Sequence, residues 1–330
     1  MTTPVLAGTL PQLRAPGAAS GDDRARSPVQ CPAPASPATA GTGSDLLRAL
    51  GSVPLSPPSH CQPVLECLGL PATTGAEHTA VFVLNAQPHA AIYLGGEGKL
   101  GGEGLDRVAG YWRAIGLVPP PDADHLGVLL MLYAELADAE TTARNEATRQ
   151  RLRHVRETLL TEHVWSWAPA YLALVSRLGA PALSDWARMT LSALHREARS
   201  LSSAALALAL RTAPEPVRLP TEREQLLDAL VSPVRSGILL THDDLRRAAA
   251  VMALGYRAGE RRCSLAAMLD QDPPLTLGWL AGHARRWAGL HAGQPPVPGD
   301  DPRHWWARRA AGTAGTLQRL HARVAAAERR

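Results

Sequence analysis

Leu126-Gly127-Val128-Leu129-Leu130-Met131-Leu132-Tyr133 is apolar around two full turns of a helix. A helix without a polar face is stable only when other helices enclose it, so this run predicts the central helix of a bundle. Asp122, just upstream, marks its start. From about residue 77 onward the chain reads as helix after helix, punctuated by Gly and Pro, with almost no segment alternating at period two. The fold class expected is all-α.

Working outward, Leu105, Val108, Ala109, Trp112 and Ile115 form one stripe of an amphipathic helix that stops at Gly116, and Pro119-Pro120-Pro121 then forces a turn. On the other side, residues 140–160 alternate in charge around a thinner stripe of Leu152, Val155 and Leu159, as suits a more exposed helix. Further helices are expected at 168–178, 182–210, 221–231, 242–257, 260–270 and 275–291, with Thr241 and Asp244 spaced as a capping box. A first helix is expected from Ser44 as N-cap, ending at Gly51.

Residues 1–43 are rich in Ala, Pro, Gly, Ser and Thr and poor in bulky apolar residues, so burial cannot offset their ordering entropy, and they read as a disordered tail. The helical domain is placed at 44–292 and a Pro-rich linker at 293–302. Residues 303–330 read as an extra, basic, loosely attached C-terminal helix.

With 34 basic and 30 acidic residues in 330, the net charge is +4, and every basic residue except Lys99 is arginine. Acids and bases interleave, which argues against a nucleic-acid binder with its charge on one face. The four cysteines, Cys31, Cys61, Cys67 and Cys263, form no CxxC pair and meet no histidines at ligand spacing. No metal site is expected, and reduced thiols point to the cytoplasm. No run approaches the ~18 apolar residues of a membrane span. The N-terminus lacks the cationic-then-apolar order of a signal peptide.

Three strings could carry function. Gly96-Glu97-Gly98-Lys99-Leu100-Gly101 is a formal GxGxxG, but no strand precedes it and no alternating strands follow. In Asp122-Ala123-Asp124-His125-Leu126, acids at the mouth of the central helix can cap it, and His125 can bond near the groove between helices. In His163-Val164-Trp165-Ser166-Trp167-Ala168-Pro169, His163 shares a helix face with Trp167, and Pro169 suits the first turn of a new helix. There is no GxSxG elbow and no HExxH, so no catalytic residue is assigned.

The order of these strings carries a resemblance. Pro88-His89-Ala90-Ala91-Ile92-Tyr93-Leu94-Gly95-Gly96-Glu97-Gly98, a Tyr-Trp-containing helix, Pro121-x-x-Asp124-His125-Leu126 and His163-x-x-x-Trp167-x-Pro169 resemble the TorD/DmsD/NarJ chaperones over about residues 78–200. The resemblance implies a single TorD-like multi-helix bundle and a chaperone, not an enzyme. The partner implied is the apo catalytic subunit of a DMSO-reductase or nitrate-reductase type molybdoenzyme, together with its twin-arginine signal peptide. The chaperone itself would hold no cofactor, and the client would carry a molybdopterin guanine dinucleotide. Carried over residue by residue, Asp124, His125, Tyr93, Leu94, Trp112, His163, Trp167 and Pro169 become candidates for binding peptide or client. Glu97, Glu103, Asp106, Asp122 and Asp124 supply carboxylates for the guanidinium groups of such a signal. Ala90-Ala91-Ile92 stands where relatives often carry an acidic or serine residue, and the N-terminal tail and C-terminal helix exceed the core family. A homodimer, a helical scaffold or regulator whose basic tail meets nucleic acid or an acidic partner, and an enzyme using the glycine loop are the alternatives left open.

Overall fold

The computed structural model describes residues 43–201, 205–219 and 222–328. The tail expected over 1–43 lies almost wholly outside the described residues. Among these, helices follow one another without a strand, and the sole β-type pairing is a single bridge between His89 and His125. The all-α expectation holds.

In chain order the helices are α1 (Gly43–Leu55), α2 (Pro58–Cys67), α3 (Gly75–His78), α4 (Ala90–Leu94), α5 (Gly102–Ala114), α6 (Leu126–Thr142), α7 (Glu146–Thr158), α8 (Ala168–Val175) and α9 (Pro181–Arg199). There follow α10 (Leu208–Arg211), α11 (Arg223–Val231), α12 (Pro233–Ser236), α13 (His242–Val251), α14 (Arg261–Gln271), α15 (Pro273–Ala292) and α16 (Pro302–Ala327). Two π-helical stretches, Thr79–Asn85 and Leu159–Val164, extend α3 and α7.

The apolar run at 126–133 forms the first half of α6, with Leu126, Leu129, Leu130, Leu132 and Tyr133 buried. Its closest neighbour is α1, and the two backbones meet at glycines. A Cβ on Gly127 would stand 2.3 Å from the Gly51 carbonyl oxygen and 2.6 Å from Leu55 Cγ. Gly51 therefore does not end the first helix as expected. It sits inside α1, which runs on to Leu55, and its missing side chain lets α6 approach.

Other boundaries also moved. The Thr241–Asp244 capping box is present, with Asp244 N–H donating to Thr241 Oγ1 at 2.9 Å. The helix it opens ends at Val251, ahead of Ala253 with φ +56°. The single helix expected over 182–210 breaks at Arg199, and only the short α10 follows.

The largest correction is at the C-terminus. α16 is not loosely attached: it lies along α15 with Trp306, Ala310, Ala314 and Leu317 buried. Trp306 Nε1 donates to Ser166 O at 2.9 Å, and Thr313 Oγ1 to Ser236 O at 2.7 Å. The buried positions recur at helical spacing, but most of them are alanine or threonine, so arginines dominated the sequence reading while small residues make the contact. Cys67 is disulfide-bonded, against the expectation of reduced thiols, so the cysteines no longer argue for a reducing compartment. Among the described residues no helix is long and apolar enough to cross a membrane.

Candidate functional site

His89 stands at the N-cap of α4 without making a capping bond through its side chain. Asp124 provides the cap from 33 residues away: its Oδ2 accepts the Ala91 N–H at 2.8 Å, and its Oδ1 lies 3.2 Å from His89 Nδ1. The backbones join as well, Ala90 N–H donating to Asp124 O at 3.0 Å and Leu126 N–H to Pro88 O at 2.7 Å. The carboxylate expected to cap the central helix thus caps α4 instead.

The cap of α6 is His125, whose Nδ1 accepts the Gly127 N–H at 3.1 Å. That bond requires an unprotonated Nδ1, and burial, with a smaller contribution from His89, pushes the ring's pKa down to about 3 while Asp124 opposes. The His125 and His89 rings meet edge to face at 5.0 Å. Trp112 of α5 closes this cluster through an Nε1 bond to Ala123 O at 3.3 Å.

Tyr93 links the first string to the third. Its ring stacks on Trp167 at 5.1 Å with 12° between planes, and its hydroxyl donates to Gln87 O at 3.0 Å. Trp167 Nε1 donates to His163 O at 2.8 Å. His163 packs against Tyr111 at 4.7 Å, and its pKa falls to about 4 through burial and then Arg107. Pro169 occupies the first turn of α8, as its spacing suggested.

The structure therefore gathers Tyr93, Leu94, Trp112, Asp124, His125, His163 and Trp167 around one interior seam, with Pro169 beside it, and all eight are buried. At 2 % exposure Asp124 is already committed to backbone and histidine partners. What these residues do in this conformation is hold the seam together.

An open surface lies on the outer side of Tyr93. A groove of ≈ 710 Å³ runs between Val83, Leu84 and the glycine loop 96–100 on one side and α11 through α14 on the other. Its rim exposes Val83, Leu84 and Leu100, at 52 %, 58 % and 54 %. Single exposed aliphatics are ordinary, but three on one groove form a sticky edge. Glu97, Asp228 and Glu260 place carboxylates along it, with Asp228 already paired to Arg262 at 2.6 Å. Of the five carboxylates singled out from the sequence, only Glu97 lines this groove.

The glycine string now has a structural account. Gly98 has φ +64°, and a Cβ there would stand 2.7 Å from Val231 O and 3.0 Å from Ser232 Cα, so the loop is pressed against the α11–α12 junction. Sequence reading missed Val83, Leu84, Arg235, His242, Glu260 and Arg261, because they reach the groove only through tertiary folding. Among the described residues no group of His, Cys, Asp and Glu is placed to hold a metal ion.

Residues 72–173, which contain the whole seam and the glycine-loop side of the groove, match the family described as nitrate reductase delta subunit. Over this stretch, about a third of the chain, the protein is similar to the NarJ/TorD-type chaperones. The rest of the chain, 1–71 and 174–330, lies outside the match and includes the groove wall from α11 to α14. No curated protein matches the chain at a significant level.

Proposed function

We propose that the chain is a maturation chaperone that holds the apo catalytic subunit of a DMSO-reductase or nitrate-reductase type molybdoenzyme, and that the groove beside the glycine loop receives the client's N-terminal segment. The observation that carries this reading is the family match over 72–173. The groove's chemistry supports it. An extended signal segment with guanidinium groups and an apolar stretch needs carboxylates and exposed aliphatics in one groove, and Glu97 and Glu260 line the same groove as Val83, Leu84 and Leu100. The chaperone catalyses no reaction on its client and acts from the cytoplasm before export or membrane assembly. The seam of Asp124, His125, Tyr93 and Trp167 acts indirectly, by fixing α4 and the loop that follows it into the groove wall.

Co-expression of the full chain with an apo catalytic subunit tests the reading. A stable complex that forms with the whole client and is lost when the client's N-terminal segment is deleted is the expected result. No complex with any such apo subunit would overturn the reading.

A further inference from the structure

The floor of the groove holds two guanidinium groups that no carboxylate neutralises among the described residues. Arg261, the first residue of α14, spans the groove: Nη1 donates to Leu240 O at 2.9 Å and Nη2 to Gly98 O at 3.1 Å. Both acceptors are neutral carbonyls. Burial pushes the pKa of Arg261 below its ordinary value, and Tyr93 opposes that shift. Arg235 of α12 lines the same groove, and its Nε is buried without a hydrogen-bond partner. Of the acids lining the groove, Asp228 pairs with Arg262, and neither Glu97 nor Glu260 forms an ion pair with Arg235 or Arg261 among the described residues.

A buried guanidinium such as that of Arg261 is costly to keep without counter-charge, and an arginine fork matches the oxygens of a phosphoryl or carboxylate group. A third feature points the same way. α14 begins at Arg261 with no side-chain cap from Glu260, which leaves the positive end of an 11-residue helix at the groove wall. Lys99 stands on the facing loop. A volume of ≈ 710 Å³ is in the range of small-molecule sites, roughly 300–1,000 Å³.

We propose that Arg235 and Arg261 form an oxyanion subsite that takes the phosphoryl group of a small phosphorylated molecule in this groove. The subsite does not rest on the client reading but bears on it: Lys99, Arg235 and Arg261 repel the client's guanidinium groups in the same groove unless an anion offsets them. It also gives the glycine loop a part different from a phosphate cradle. The loop's Gly98 carbonyl holds the guanidinium of Arg261 in place, and the arginine meets the anion.

Calorimetric titration of the full-length protein at constant ionic strength tests this, with inorganic phosphate, pyrophosphate and malonate as probes. Saturable binding of pyrophosphate or phosphate, weakened at least tenfold in Arg235→Met and in Arg261→Gln, is the expected result. Tighter binding of malonate than of either phosphoryl probe would replace the phosphoryl assignment with a dicarboxylate one. Absence of saturable binding, or equal binding by wild type and Arg235→Met, would overturn the subsite. Arg261→Gln loses two backbone bonds and could misfold. Arg235→Met, checked by an unchanged circular-dichroism melt, decides the matter alone in that case.

Discussion

The Asp124 carboxylate caps α4 by accepting the Ala91 N–H at 2.8 Å, tying the segment after Pro88 to the mouth of the central helix. Removing it leaves a buried amide unsatisfied and frees the His89 ring. Asp124→Ala is expected to cost about 1–3 kcal/mol of stability. Asp124→Asn keeps an acceptor and costs less. Urea denaturation of the two variants checks the order.

Buried histidines make the fold sensitive to acid. The folded pKa values of His125 and His163 lie at about 3 and about 4, below the ordinary 6.5. Between these values the unfolded chain binds protons that the folded chain does not, so stability is complete above pH 6.5 and is lost as pH falls toward 4. His163 alone contributes a slope of up to about 1.4 kcal/mol per pH unit over that window. Urea midpoints measured from pH 7 to pH 4 should fall, and His163→Gln should flatten the curve.

Gly127 meets the Gly51 carbonyl where α1 crosses α6, and the atom a new side chain would strike belongs to backbone. Gly127→Ala is expected to push the two helices apart and to cost about 1–3 kcal/mol. A lowered melting temperature checks it. Gly110, with open space around its Cβ position, is the control: Gly110→Ala should be neutral or stabilising.

α16 is part of the core. Trp306 is buried and bonded to Ser166, so Trp306→Ala should destabilise the whole chain by about 3–5 kcal/mol. Deletion of residues 302–330 should leave a protein that melts early or aggregates, because α15 loses the helix that covers it. A truncated chain melting like the full one would contradict this packing.

The fold was legible wherever apolar spacing was strong. The run at 126–133 announced a buried helix, Gly116 marked the end of α5, and Thr241 with Asp244 marked the start of α13. α16 was misjudged because its contact face is built from Ala310, Thr313 and Ala314, which carry little apolar signal among arginines. Asp124 and His125 drew notice as a pair, but their spacing could not show that one caps α4 and the other α6. The groove was not legible at all, since Leu84 and Leu100 meet Arg235 and Arg261 only after more than a hundred intervening residues have folded.

The most direct test of the groove as the client site is the affinity of the full-length protein for its client's N-terminal segment, compared between wild type and Leu84→Asp. Leu84 is exposed on the groove rim and outside the seam, so the substitution should leave the melting temperature unchanged. The expected result is a loss of affinity of tenfold or more, about 1.4 kcal/mol. Equal affinity in the two proteins would contradict the assignment.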